Sequence, residues 1–271
     1  MSHAFVVRTN HVQAEPRLRE LLEPFEAERN GGPVSTYSLL RRRRPGETRF
    51  IVRKNDEVVA RSDLLEIAID QVVWAVHDDA VTESRRFLTL HAAAAAWGGR
   101  GLVFPAAPNC GKSTLVAALV LRGLDFLSDE YAVVDLESGS LQPYPRPLWL
   151  DRDSLAMLED RGATVPDGLV TGTVAKHFLP AGAIRVGAVG APCRVRLVVV
   201  PDYDPEEETQ LEPMSRGGVL MQLADESFNF EHLGLPALEV LRDVLAQADC
   251  YRLTFSDLDE AVDAVRGLVG A

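Results

Sequence analysis

The sequence predicts an α/β fold: a core of mixed sheet and helices, with a small N-terminal α/β subdomain beside it. Three observations predict it. Strand, loop, apolar helix and strand follow one another over residues 102–127, the grammar of sheet layered with helix. The texture changes near residue 86, which separates a mixed segment 1–85 from a more apolar segment 86–271. Finally, 271 residues at 46% hydrophobic content supply ample core material for one large domain or two small ones.

In chain order, residues 5–7 read as a strand, and residues 16–29 as a charged helix with Leu18, Leu21, Leu22 and Phe25 at helical spacing. Beyond Gly31-Gly32-Pro33, residues 35–43 and 48–53 flank Pro45-Gly46 as a hairpin. Ser62 or Asp63 caps a helix whose Leu64, Leu65, Ala68, Val72 and Ala75 form one stripe. Residues 87–97 and 102–105 are strands around a Gly-rich turn, a helix spans 114–122, and strands follow at 125–127 and 132–136. Residues 194–200 form a buried strand. Helices at 215–224 and 236–248, a strand at 251–254 and a helix at 256–268, capped through Ser256 and Asp259, complete the chain.

Composition excludes several classes. The balance of 28 Lys+Arg against 40 Asp+Glu gives a net charge of −12, which disfavours nucleic-acid binding because that affinity rests on cations neutralising phosphates. Arg41-Arg42-Arg43-Arg44 reads as a solvated strand end, with an acidic docking partner as the alternative. The acidic run at 202–208 reads as a solvated loop rather than a metal site. No apolar stretch approaches the roughly 20 residues of a membrane-spanning helix, and the first ten residues lack a secretory pattern, so a cytoplasmic address is expected. Cys110, Cys193 and Cys250 are scattered without a Cys-x-x-Cys pair and read as reduced thiols.

The informative loop is Ala106-Ala107-Pro108-Asn109-Cys110-Gly111-Lys112-Ser113-Thr114, set between a strand and an apolar helix. It approximates the phosphate-loop pattern G-x-x-x-x-G-K-[ST]. In that pattern main-chain N–H groups wrap phosphates, the helix N-terminus adds positive potential, the lysine reaches the outer phosphates and the hydroxyl ligates Mg²⁺. Residues 107–114 are thus the nucleotide-binding candidates, with Lys112 and Ser113 in the last two roles. Ala106 departs from the pattern by placing a Cβ where the first glycine stands. The plainer reading is a capped helix start. Cys110 sits where helix-terminal N–H groups lower a thiol pKa, or packs as a small residue.

Ser128-Asp129-Glu130 follows the next strand, where an acidic pair beside a phosphate loop holds Mg²⁺ together with Ser113 and accepts a proton from an attacking hydroxyl. Asp129 is assigned as base and as part of the metal set with Glu130, and the two carboxylates are free to exchange roles. A turn is the plainer alternative. His91, alone on an apolar strand, reads by itself as a core histidine.

With these residues in view, the segment from Leu90 to about Leu150 resembles the HPr serine kinase/phosphorylase group, including its smaller peptide-tailoring members. The resemblance rests on Leu90-His91-Ala92, Gly111-Lys112-Ser113-Thr114, Arg122-Gly123, Leu127-Ser128-Asp129-Glu130 and Tyr144-Pro145-Arg146-Pro147-Leu148. It implies a P-loop core of the HPr kinase/PEP carboxykinase type that uses ATP and Mg²⁺. It also implies His91 near the catalytic carboxylate, Lys112 on the transferring phosphate, Asp129 as base and Arg146 on phosphate or substrate. That group carries two adjacent Asp where this chain has Asp129-Glu130, and its long glycine-rich signature for the reverse reaction is not recognisable here. Lys176-His177, after residues 168–174, reads either as basic groups near ATP or the acceptor or as solvent-facing strand residues.

The expected function is therefore ATP-dependent phosphoryl transfer to a hydroxyl of a peptide or small protein, such as a ribosomally made precursor peptide. No nucleic-acid or membrane partner is expected, and an oligomer is allowed. The alternatives are a kinase of a free small molecule such as serine, and a nucleotide-dependent peptide-binding or regulatory module without kinase activity, which the Ala106 departure favours.

Overall fold

The structure is a computed structural model that describes residues 4–27, 34–44, 47–105, 110–166, 169 and 176–270. It is a mixed α/β protein that divides into two compact units, Met1–Ser84 with Asp167–Phe178, and Arg85–Pro166 with Leu179–Ala271.

The first unit is a four-stranded sheet in the order β1-β2-β3-β4, built from β1 (Ala4–Thr9), β2 (Val34–Arg44), β3 (Glu47–Lys54) and β4 (Glu57–Ser62). Helices α1 (Ala14–Leu22) and α2 (Leu65–Thr82) accompany it. β1 runs parallel to β2, and the remaining pairs are antiparallel. Tyr37, Leu39, Phe50 and Val52 from the sheet and Ile69, Val72 and Val76 from α2 are buried. The first helix stops at Leu22, well short of residue 29, and passes into a 3₁₀ turn at Glu23–Phe25. Pro24 explains the stop, because proline removes an N–H and disfavours helical backbone at the residue before it. β2 carries Arg41 half-buried and Arg42 exposed, with the Arg41 N–H donating to Asn10 Oδ1 at 2.7 Å. The turn expected at Pro45-Gly46 lies outside the described residues. Lys176 and His177 are half-buried in this unit, and of residues 168–174 only Leu169 is described.

The second unit is organised around β5 (Phe87–Trp97), which is followed by β6 (Arg100–Pro105), α3 (Lys112–Leu121), β7 (Asp125–Ser128), β8 (Tyr131–Asp135), β9 (Ser140–Gln142) and β10 (Leu148–Leu150). Next come α4 (Arg152–Asp160), the short strand β11 (His177–Leu179), of which only Leu179 belongs to this unit, α5 (Ala181–Ile184), β12 (Cys193–Tyr203) and β13 (Gln210–Pro213). The chain ends with α6 (Arg216–Asp225), α7 (Phe230–Leu233), α8 (Leu235–Ala246), β14 (Asp249–Phe255) and α9 (Leu258–Val269). An eight-stranded mixed sheet runs β13-β14-β12-β6-β5-β8-β9, with β7 on β5 and β9 pairing back to β12. β6, β12 and β14 are mutually parallel, so their C-terminal ends share one edge. In open α/β sheets that edge is where ligands bind.

The small side chains of Ala92–Ala96, all buried, allow helices to approach both faces of β5. Leu88, Leu90, Ala92, Ala94 and Ala96 share a core with Val219 and Leu223 of α6 and Ala237, Val240 and Leu241 of α8. α3 also packs on β5, and its Leu115, Val116 and Leu119 are fully buried. This burial from all sides is why α3 is apolar around its whole circumference. Gly123, at φ +106, then reverses the chain.

Several boundaries shift from the sequence expectation. β12 continues through Pro201 to Tyr203, in parallel register with β14 (Pro201↔Leu253). Its ladder with β6 ends at Val198, so the missing proline N–H costs that ladder nothing. The cap of α9 is Asp257 rather than Ser256, accepting from the N–H groups of Asp259 and Glu260 at 2.8 and 3.0 Å. Glu206, Glu207 and Glu208 are exposed on the turn after β12, as a solvated run should be. No described helix is long and apolar enough to cross a membrane.

Candidate functional site

The site begins at the end of β6. Gly111 is the N-cap of α3 and holds φ +77, ψ 5, a left-handed conformation that glycine adopts without a Cβ penalty. It lies at the C-terminal ends of the parallel strands, since a Cβ there would meet Phe255 Cζ of β14 at 3.5 Å and Tyr203 Cβ of β12 at 3.9 Å. Lys112 and Ser113 open the helix, where the N-terminus and its macrodipole favour an anion. Ala107, Pro108 and Asn109, with Ala106, lie outside the described residues. Cys110 is a half-buried free thiol, and Cys193 and Cys250 are buried free thiols. The Thr114 hydroxyl is 2.8 Å from the Ser154 hydroxyl of α4, so it ties α3 to α4.

Lys112 is 6% exposed. Burial pushes its ammonium pKa down, while Glu130, Glu226, Cys110 and Asp129 oppose that shift. Its Nζ lies 3.5 Å from His91 Nε2, and the same Nε2 lies 3.0 Å from Glu130 Oε1. A single imidazole nitrogen cannot both accept from an ammonium and donate to a carboxylate. The shorter carboxylate contact assigns the proton to Nε2, so His91 donates to Glu130 with Lys112 packed beside it.

Asp129 and Glu130 follow β7, and their environments differ sharply. Asp129 is fully buried; its Oδ1 accepts from Arg146 Nε at 3.1 Å and its Oδ2 from the Trp149 N–H at 3.1 Å. Burial pushes its carboxyl pKa up, against the pull of the Arg146 guanidinium. Glu130 is 28% exposed along its side chain. Burial works to raise its carboxyl too, but the His91 hydrogen bond and the charges of Arg146, His91 and Lys112 outweigh it and hold the pKa at about 2. Arg146 spans the pair, with Nη2 3.5 Å from Glu130 Oε2 and its guanidinium 5.1 Å from the Tyr131 ring centroid.

The structure thus brings together His91, Lys112, Asp129, Glu130 and Arg146, drawn from four separate stretches of chain, with Ser113 adjoining Lys112. Sequence reasoning missed three contributors: the Trp149 N–H on Asp129, the Tyr131 ring under Arg146, and Glu226, whose carbonyl accepts the His91 N–H at 2.7 Å. Only the Tyr144–Leu148 motif hinted at the first, by marking a chain return past Asp129. Nothing local in the sequence marks Glu226.

Of the expected metal ligands, Ser113, Asp129 and Glu130 all offer hard oxygens; Asp129 is fully buried with both oxygens in protein hydrogen bonds, and Glu130 is partly exposed. Among the described residues no three His, Cys, Asp or Glu side chains group as a metal cage. That donor set suits Mg²⁺ held partly by phosphates and water, as this ion prefers.

A scan against protein-family models and a search of curated proteins find no match. Among solved structures, the chain is similar to the Hpr(Ser) kinase/phosphatase from Coxiella burnetii at 14% identity and a TM-score of 0.33, over 67% of this chain and 97% of that one.

Proposed function

We propose that this chain is an ATP-dependent kinase that phosphorylates a hydroxyl of a peptide or small protein. The observation that carries the reading is the convergence of a buried lysine, at the start of a helix with a left-handed glycine cap, on a histidine-oriented carboxylate: Nζ to Nε2 at 3.5 Å and Nε2 to Oε1 at 3.0 Å. The Gly111-Lys112-Ser113 order supports a P-loop core of the HPr kinase/PEP carboxykinase type. Residues 107–114 would hold the nucleotide, and Ser113 and Glu130 would face Mg²⁺.

Bound Mg²⁺-ATP supplies the phosphoryl group and offsets its charge. The protein's own contribution is positioning and neutralisation, which dominate phosphoryl transfer. Lys112, kept from water, meets the negative charge of the transferring group. Arg146 adds a second fixed cation that holds the two carboxylates in place. Between those carboxylates, burial favours exchanging the roles expected from sequence. Asp129 is fully buried and both its oxygens accept at 3.1 Å, so it anchors Arg146 and the Trp149 N–H. Glu130, partly exposed and aimed by His91, takes the proton of the incoming hydroxyl.

The test is transfer of labelled γ-phosphate from Mg²⁺-ATP to candidate acceptor peptides and to free serine, read by autoradiography and intact mass. Phosphopeptide formation that drops at least 100-fold in Lys112→Met and Glu130→Gln is expected. Transfer to free serine alone would remove the peptide acceptor, and nucleotide binding without any transfer would leave a binding module.

A further inference from the structure

The stretch from Glu226 to Asn229, between α6 and α7, seals the half of β5 that carries His91. β6 pairs with β5 only over residues 92–97, so the edge beside residues 87–91 needs other partners. These four residues supply them. Asn229 accepts from the Thr89 N–H at 3.0 Å and donates to the Phe87 carbonyl at 2.9 Å. The Ser227 hydroxyl and the Phe228 N–H both donate to the Thr89 carbonyl, at 3.1 and 3.0 Å. Glu226 takes the His91 N–H through its own carbonyl at 2.7 Å, and the Phe228 ring meets the His91 imidazole edge-on, 5.6 Å between centroids.

The Glu226 side chain has a different environment. Its Oε1 accepts from Gln222 Nε2 at 3.1 Å, whereas its Oε2 is buried with no hydrogen-bond partner among the described residues. An unmet carboxylate oxygen away from water is costly, and such groups persist where a nearby charge compensates them. The Glu226 carbonyl holds His91, whose Nε2 lies 3.5 Å from Lys112 Nζ, and the negative charge of Glu226 is one of those that favour the buried Lys112 ammonium. Asp129 is held by Arg146 and Trp149, and Glu130 is aimed by His91 and Arg146, whereas Glu226 keeps an oxygen that meets no donor among the described residues.

We infer that Glu226 is a positioning residue of the phosphoryl-transfer site: its carbonyl fixes His91, and its carboxylate serves Lys112 as a resting counter-charge that a bound phosphate displaces. The inference rests on the kinase reading and adds a residue to it. In this arrangement Glu226 competes with the triphosphate for the same ammonium, so neutralising it strengthens nucleotide binding.

The experiment is calorimetric titration of the full chain with Mg²⁺-ATP and with a non-hydrolysable ATP analogue. Glu226→Gln keeps the side-chain volume and the carbonyl bond to His91; it should tighten binding by roughly threefold to tenfold, the scale of one removed charge at short range. Glu226→Asp restores the charge and should bring affinity back to the wild-type value. Gln222→Glu sets a second negative charge one helical turn away and should weaken binding, which gives an independent result if the first variant fails to fold. A residue with a merely structural role would not produce this ordering. Unchanged or weaker binding in Glu226→Gln, or unchanged binding in Gln222→Glu, overturns the inference while leaving the kinase reading intact. A wild-type chain that binds no nucleotide overturns both.

Discussion

Replacing Glu130 by glutamine tests the electrostatic design of the site with a sign and a size. The carboxyl is held at about 2 against an ordinary 4.5. Burial alone would raise it, but the His91 hydrogen bond at 3.0 Å and the Arg146 contact at 3.5 Å reverse the balance. The interval corresponds to roughly 3 kcal/mol, and about 2 kcal/mol once solvent around a side chain that is 28% exposed screens part of the field. The sign follows from linkage. A carboxyl with a lower pKa folded than unfolded contributes stability that is complete above its unfolded value and is lost as pH falls through its folded value. Glutamine imitates the protonated acid, so Glu130→Gln should be less stable than wild type by about 2–3 kcal/mol at pH 7. That gap should close as pH falls from about 5 to about 2. Urea unfolding followed by tryptophan fluorescence measures the difference at each pH. A gap that stays constant between pH 7 and pH 3, or is missing at pH 7, would refute the argument that the neighbouring cations set the Glu130 charge.

Two further substitutions probe the same region. Arg146→Met leaves the fully buried Asp129 carboxylate with the Trp149 N–H as its one donor among the described residues and should cost about 3–5 kcal/mol; adding Asp129→Asn should recover at least about 1 kcal/mol, whereas strictly additive losses would show that the two groups do not act as a pair. Gly111→Ala forces a Cβ into φ +77 at a cost of about 1–2 kcal/mol, and because the nearest atom, Phe255 Cζ, is an ordinary 3.5 Å away, the loss should appear as weaker nucleotide binding with a modest fall in melting temperature; wild-type affinity would separate the glycine cap from phosphate binding.

What the sequence made legible was local. Apolar periodicity located β5, β6, α3 and β8, and the motifs singled out His91, Lys112, Asp129, Glu130 and Arg146, which the fold links through direct contacts. What it hid depends on contacts across the chain. Trp149 contributes to Asp129 through its backbone N–H, a donor that nearly every residue type carries, so side-chain identity gives no sign of it. Glu226 approaches His91 across more than a hundred residues because α6 docks on β5. The two carboxylates of Asp129-Glu130 are alike in sequence, and only burial separates them. α1 ended early because Pro24 overrode a continuing apolar stripe, a conflict between two local signals that only the backbone resolves.

The charges of the site also limit how it would meet a nucleotide. Leaving His91 aside, three carboxylates, Asp129, Glu130 and Glu226, stand around two cations, Lys112 and Arg146. Taken as point charges, that set repels a triphosphate. Geometry changes the outcome, because the two acids after β7 are turned toward Arg146, His91 and the Trp149 N–H. Under the kinase reading, the face left for phosphate would be Lys112 with the start of α3 and the left-handed Gly111, whose partial positive charge needs no counter-ion of its own. A bare triphosphate would still add more negative charge than one lysine and a helix end can balance. Under the kinase reading, the site is therefore suited to a nucleotide that arrives with its divalent cation, with Glu130 facing that cation rather than the phosphates. The same balance explains why a low pKa at Glu130 is compatible with its proposed role: a carboxylate that stays ionised serves the cation throughout and takes the acceptor proton only as the new bond forms.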